Sequence, residues 1–389
     1  MLRIGRYLPI FVLLVLLLSA CQPIATPPMA AAPVSPTEAA SAGATATLEP
    51  TAAATAAEMA TPRPTRPPRV KLTAERKTLT SQALAGNLLG DPTERGFFVV
   101  LPSDYATSGK HYPVVYGLHG YTGNEYVDPM EFQRVQEAAL RYGRVKEMIL
   151  VFPNASNALG GSMYLSSPTI GDYETYLTQE LVDYIDANYR TIPDRESRGI
   201  MGCSMGADGA MHLALKYPDV YSVAAPYSGT YLWEQDPWLM LGADGFLHEP
   251  ADFSEVTDLS IEARGEIALA AAIMPNADKP PFYFDMPYVI ENGEAKPAPG
   301  FVEALEAASP AQDARSYVQQ PVRLRGILLS HGGYDYLAPV EIARDYSALL
   351  TELGIDHEYW EADAGHCTMD KEPILKFMSD NLVFEEVAP

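Results

Sequence analysis

The sequence predicts an α/β protein with a mostly parallel sheet flanked by helices. Three observations carry that prediction. From about residue 73, short runs rich in β-branched and aromatic residues alternate with stretches of helical periodicity, the pattern of sheets built from strand and helix units. Several of the apolar runs end in glycine-rich loop chemistry, as in YGLHG and LLSHGG. One strand-to-helix step, GCSMG at 202–206, packs small residues on both sides of a serine.

Taken in order, strands are expected at 97–102 (FFVVLP) and 113–120 (PVVYGLHG), then a helix at 130–142 and a strand at 148–153 (MILVFP). Asp172 stands where it could cap a helix that aligns Tyr173, Leu177, Leu181 and Tyr184 on one face. SRGIMGCS reads as a strand running into a helix over 205–216. YSVAAPYSG and RGILLSHGG follow as apolar runs, then a helix at 340–353, the strand HEYWEA and a closing helix from 370 to about 382. Between 230 and 319 the alternation lapses into a stretch rich in Trp, Tyr, Phe, Met and Pro, with Trp233, Trp238, Phe282, Tyr283, Phe284 and Tyr288 prominent. Long insertions in compact domains are often functional, which favours a lid or cap over a site. The alternative is a set of helices packed on the sheet edge.

Composition bounds the partners. The chain of 389 residues is long enough to bury a sizeable core and carries a formal net charge of -23. Beyond residue 72 there are 21 basic and 47 acidic residues, a net of -26. Such a field repels polyanions, so nucleic acid and anionic lipid surfaces are poor partners, and neutral or cationic substrates fit better.

The N-terminal stretch speaks to location. Arg3 and Arg6 precede an apolar run from Leu8 to Leu18, too short to span a bilayer comfortably, and small residues follow. Leu18-Ser19-Ala20-Cys21 resembles a bacterial lipobox, which implies a signal peptide over 1–20 and lipidation of Cys21. Residues 21–72 are Ala, Thr, Pro and Ser with few aromatics and read as a disordered tether. A folded domain over 73–389, held outside the cytoplasm by a lipid anchor, is the expected organisation.

Gly202-Cys203-Ser204-Met205-Gly206 fits G-x-S-x-G at a strand-to-helix junction, a turn tight enough to project the serine. A serine hydroxyl is a weak nucleophile, so a histidine and a carboxylate should accompany it. Asp335 follows the predicted strand RGILLS, and His366 lies in the loop after HEYWEA. Asp363 is the rival carboxylate but stands three residues from His366 on the same loop. His111, His212, His248, His331 and His357 are assigned to structure.

From about residue 95 onward the chain resembles the bacterial putative-esterase family of α/β hydrolases, which includes S-formylglutathione hydrolases, feruloyl and acetyl-xylan esterases, enterochelin esterases and mycolyltransferases. The resemblance rests on VVYGLHGYTGNE, GGSMYLSSPTIGDYETYLTQELVDYID, RGIMGCSMGADGAMHLALKYPDVYSVAAPYSG, PPFYFDMPYV and the Asp335 and His366 segments. It implies an α/β-hydrolase fold with Ser204 as nucleophile, Asp335 as orienting acid and His366 as base, in the chain order of that fold. It also implies an oxyanion hole from the backbone N–H groups of Tyr121 and Met205. His119, at the start of that loop, has the alternative of a strand-end histidine satisfied by the core. Ala207 stands where the family commonly has a second glycine.

Two of the three cysteines flank the proposed serine and histidine. If Ser204 and His366 meet, Cys203 and Cys367 come close as well, and the arrangement resembles the CS-D-HC motif of tannases, in which these cysteines are bonded. The alternative is two small buried thiols.

The resemblance implies a serine carboxylic ester hydrolase that needs no cofactor, acting on an ester substrate, carbohydrate-linked feruloyl or acetyl groups in particular. Acyl transfer to a sugar acceptor would use the same residues. A non-catalytic surface-binding lipoprotein is the reading from another class. No metal site is expected, since HExxH spacing is absent and the two remaining cysteines are too few for a structural zinc.

Overall fold

The computed structural model describes residues 67–236 and 238–385, side chains excepted at 238–240. The calls on the signal peptide, on Cys21 and on the tether up to residue 66 lie outside the described residues. Residues 67–72, assigned to the tether from sequence, instead pack on the body. Leu72 is buried and its N–H donates to Glu137 Oε1 at 2.9 Å, while Arg141 Nε donates to the Pro67 carbonyl at 2.8 Å. Their proline-rich composition hid this, because the contacts come from a helix far along the chain.

Eight strands form the main sheet: β1 (Thr73–Thr80), β2 (Glu94–Leu101), β3 (Val114–Leu118), β4 (Ile149–Pro153), β5 (Arg198–Cys203), β6 (Val223–Tyr227), β7 (Gly326–Gly332) and β8 (Glu358–Ala362). Their spatial order is β1-β2-β4-β3-β5-β6-β7-β8. Strand β2 runs antiparallel to β1 and β4, and every other neighbouring pair is parallel. Strands β3, β4, β5 and β6 are buried along their whole length, as a sheet covered on both faces requires. The edge strand β1 went unread in the sequence. Its residues TAERKTLT alternate between exposed and half-buried, with no apolar run to announce them.

Successive side chains of a strand point to opposite faces, and two cores result. Val114, Tyr116 and Leu118 enter one, with Ile200, Ala224 and Leu329; Val115 enters the other, with Leu150, Met201 and Leu328. Helices α1 (Pro129–Arg141) and α8 (Glu372–Asn381) cover the second core through Phe132, Ile374 and Met378. The first core lies under α2 (Leu181–Asn188), α3 (Met205–Lys216) and α7 (Val340–Glu352). Asp172 caps as expected, its Oδ1 accepting from Thr175 N–H at 2.9 Å, but the helix that follows passes through a π-helical segment, Tyr176–Glu180, before α2 begins.

The stretch 230–319 is not irregular. It contains the helix Trp238–Gly245, α4 (Ile261–Ile273), the hairpin strands Tyr288–Glu291 and Glu294–Pro297, then α5 (Phe301–Ala308) and α6 (Pro310–Tyr317). Most of its aromatic residues pack on one another: Phe253 with Phe282, Phe282 with Phe284, and Tyr288 with Phe246 and Phe301. Helix α6 packs on α3, and α4 and α5 form a wall of the cleft described next. Among the described residues no helix is long and apolar enough to cross a membrane.

Candidate active site

Strand β5 ends at Cys203 and α3 begins at Met205, so Ser204 alone makes the turn. Its backbone sits at φ 57° and ψ -125°, a conformation that costs a non-glycine residue on the order of 1–3 kcal/mol and survives only where the surroundings enforce it. The enforcement is visible. A methyl group added to Gly202 would collide with the Gly206 carbonyl, and one added to Gly206 would collide with the Leu118 carbonyl at the end of β3. Both glycines of G-x-S-x-G are therefore required by close backbone approach. Ala207 is fully buried in the first core and leaves the turn intact.

His366 arrives on the loop after β8. Its Nδ1 meets Asp335 Oδ2 at 2.8 Å and Oδ1 at 3.0 Å. Asp335 lies after β7, with its side chain buried, and Oδ1 also accepts the Leu337 and Ala338 N–H groups at 3.0 Å each. Burial alone would raise this carboxyl. The His366 contact and the backbone donors outweigh it and hold Asp335 below the usual carboxylate range. Asp363 is exposed and does not compete. Ser204 and His366 line one cleft, although among the described residues they make no hydrogen bond to each other. Such bonds are commonly loose before substrate enters and tighten in the reacting complex.

Cys203 and Cys367 are joined by a disulfide, their Cα atoms 5.9 Å apart, inside the usual range for such a bond. It ties the base of the serine turn to the residue after His366. The same loop is held twice more: Cys367 N–H donates to Ser228 Oγ at 3.2 Å, and the buried Lys371 ammonium donates to the Cys367 carbonyl at 2.5 Å. Among the described residues one group of potential metal ligands comes together, Cys203, His366 and Cys367, within 4.8 Å. With its two sulfurs bonded to one another, it leaves no thiolate for a metal.

The loop after β3 closes another side. Gly120 lies so near that an added methyl would stand 3.5 Å from Ser204 Cβ, and Tyr121 and Met205 both line the cleft. The Met205 N–H belongs to the first turn of α3, where N–H groups lack intrahelical acceptors and the helix dipole favours negative charge. His119 is satisfied by the core: Nδ1 donates to the Gly120 carbonyl and Nε2 accepts from Ala155 N–H. Burial pushes it down to about 4, so it is neutral. His331 is likewise held neutral by burial, its Nε2 donating to the Ala338 carbonyl, so its 3.6 Å approach to Asp335 is no ion pair.

Three carboxyls of the cleft, Asp208, Asp236 and Glu266, escaped the sequence reading. Asp208, in the first turn of α3, accepts from the Thr230 and Tyr231 N–H groups at 2.9 Å and pins the start of the insertion; burial pushes it up to about 6. Glu266, on α4, is buried and also lines the cleft. A signal existed for Glu266, the single acid in the otherwise apolar run GEIALAAAI. Of the prominent aromatics of the insertion with described side chains, Trp233 reaches the cleft.

A parallel sheet with one reversed strand, a serine on a forced turn at the end of the fifth strand, and an Asp–His pair beyond the seventh and eighth define the class, an α/β-hydrolase-fold protein with a nucleophile elbow. The comparisons with known proteins agree. The model of the family described as "Putative esterase" matches residues 91–280. An esterase of Mycobacterium tuberculosis (strain H37Rv) is 35% identical over 136 residues, which is 34% of this chain and 29% of that protein. The match thus spans under a third of that relative's length. Among solved structures, a ferulic acid esterase superposes with a TM-score of 0.55 at 20% identity, covering 81% of this chain and 100% of the other. The S-formylglutathione hydrolase of Staphylococcus aureus superposes with a TM-score of 0.52 at 17% identity, covering 78% and 96%. The chain is thus similar to the putative-esterase family over residues 91–280 and shares the α/β-hydrolase fold of these solved esterases.

Proposed function

We propose that this protein is a serine carboxylic ester hydrolase that works through an acyl-enzyme. One observation carries the reading: a histidine whose Nδ1 is bound by a buried carboxylate shares a cleft with a serine on a forced strand-to-helix turn. Ser204 Oγ attacks the ester carbonyl while His366 Nε2 takes its proton. Asp335 keeps His366 in the tautomer that leaves Nε2 free to accept, and stabilises the imidazolium that forms. The backbone N–H groups of Met205 and Tyr121 receive the oxyanion of the tetrahedral intermediate. His366 then protonates the departing alkoxide, and water, activated by the same imidazole, releases the acid. Every step is proton transfer or acyl transfer and balances without a cofactor.

The substrate class is carbohydrate-linked acyl ester, feruloyl or acetyl. It is supported by the ferulic acid esterase among the fold neighbours, and by the acidic body, which disfavours polyanionic carriers. The N-terminal sequence supports a lipid anchor at Cys21 and action outside the cytoplasm, where polymers that cannot enter the cell are met. The test is an ester panel, from short p-nitrophenyl acyl esters to methyl ferulate and acetylated xylan, run with wild type and Ser204→Ala. A loss of kcat by about 10⁴-fold or more on every hydrolysed ester is expected. Undiminished turnover by the alanine variant would remove the nucleophile and the reading with it.

A further inference from the structure

Glu266 is only 6% exposed, yet it lines the cleft that holds Ser204. Its Oε2 is buried without a hydrogen-bond partner. Native structures rarely leave such an atom orphaned, because the desolvation cost goes uncompensated. Arg264 and Gly265 precede it on α4, and from Ile267 to Ile273 the helix is Ala, Ile and Leu, so an apolar residue would suit this stretch. Asp208 is already engaged by Thr230 and Tyr231, and among the described residues that line the cleft only Glu266 carries a buried side-chain oxygen without a partner.

The surroundings narrow what could use it. Asp208, Asp236 and Glu266 all border the cleft, and no Lys or Arg lines it among the described residues, so a second carboxylate on the substrate would be repelled. The apolar lining of the cleft includes Trp233, Met163, Leu269 and Leu305. Burial and the nearby Asp236 push Glu266 up to about 8, so at neutral pH it is an uncharged acid that both donates and accepts. An uncharged hydroxyl on an apolar frame meets these conditions without a charge being buried.

We propose that Glu266 is the specificity residue of the cleft, receiving a hydroxyl group carried on an aromatic acyl group whose ring lies against the apolar walls. The proposal rests on the serine esterase reading and extends it to what the acyl part must carry. The experiment compares kcat/KM for methyl cinnamate, methyl 3-hydroxycinnamate, methyl 4-hydroxycinnamate, methyl 4-(aminomethyl)cinnamate and methyl 4-carboxycinnamate. The proteins are wild type, Glu266→Gln, Glu266→Leu and Ser204→Ala. In wild type the better hydroxycinnamate should exceed cinnamate by about five- to a hundredfold, the range one recovered buried hydrogen bond supplies. The carboxylated ester should be the poorest.

Glu266→Gln, whose amide donates and accepts, should keep most of the preference, and Glu266→Leu should bring the ratio near one. Because the ratio is taken within each protein, partial loss of folded enzyme cancels. Should the leucine variant fail to fold, the wild-type ratio still decides. A wild-type ratio near one, a ratio that survives in Glu266→Leu, or an aminomethyl ester as the best substrate would each overturn the proposal. Turnover by Ser204→Ala would instead overturn the esterase reading beneath it, whereas an inactive Ser204→Ala beside a flat wild-type ratio would sink the Glu266 role alone.

Discussion

Two histidine rings among the described residues are hydrogen-bonded to carboxylates, and they have opposite fates. His366 is bound on Nδ1 alone, by Asp335, and is partly open to the cleft on the other side. His212, on α3, is buried between two acids: Nδ1 contacts Asp313 Oδ2 at 2.6 Å and Nε2 approaches Glu174 Oε1 at 3.3 Å. Burial alone would lower His212, but the two carboxylates prevail and raise it to about 9, so it is a standing cation that staples α3 to α6. His366 meets one acid, at Nδ1, and its other nitrogen meets no carboxylate among the described residues. Two acids leave His212 already protonated, and useless as a base. The number of carboxylates around the ring, rather than the ring itself, separates chemistry from architecture.

The largest way to sharpen the contrast is Asp335→Asn. The amide preserves shape and burial but favours the wrong His366 tautomer, so kcat should fall by about 10⁴-fold with little change in melting temperature. Steady-state kinetics beside a thermal melt would show it. An Asn variant within tenfold of wild type would mean that Asp335 does not set the tautomer.

The mirror experiment is His212→Gln, which should leave kcat per folded molecule unchanged. It strips the cation from the buried Glu174 and the half-buried Asp313, and a loss of about 3 kcal/mol is expected, tempered by the Lys216 and Tyr217 contacts that Glu174 retains. The pH dependence follows from the raised value. A His212 that titrates near 9 when folded and near 6.5 when unfolded stabilises fully below about 6.5, and this contribution disappears as pH rises through 9. Melting temperatures compared at pH 6 and pH 9.5 should show a steeper alkaline decline in wild type than in the glutamine variant. Parallel declines would remove the cation from the account.

The smallest expected effect concerns the bond next to His366. Reduction of Cys203–Cys367 frees the loop that carries the base, and misplacement on the scale of an ångström costs about 10- to 100-fold in rate. Thiol titration of the oxidised protein should find neither of these cysteines free. Two titratable thiols, or reduction without loss of rate, would leave the Lys371 and Ser228 contacts as the whole support of that loop.

What was legible in the sequence follows the same division. The serine turn, the strand before it and the helix at 205–216 could be read because backbone crowding restricts Gly202 and Gly206 to a single residue type, and such restriction is local. Asp335 and His366 could be read because each stands just past a strand rich in β-branched, aliphatic or aromatic residues. Strand β1 could not, since an edge strand with one face in water carries no continuous apolar run. Nor could the roles of the acids at 174, 208 and 313. Their partners lie at least 22 positions away in the chain, and no local pattern encodes which carboxylate meets which donor. The aromatic richness of the insertion did not reveal its helices and hairpin, because Phe282, Phe284 and Tyr288 pack on other rings rather than along one periodic face.

The sulfur bridge joins residues 164 positions apart, and the whole insertion falls inside the ring it closes. A protease that nicked the chain anywhere between β6 and β8 would therefore produce two polypeptides that still travel as one molecule. The piece with the serine and the piece with the histidine would part company only in reductant, so damage to the wall of the cleft need not separate the groups it shelters.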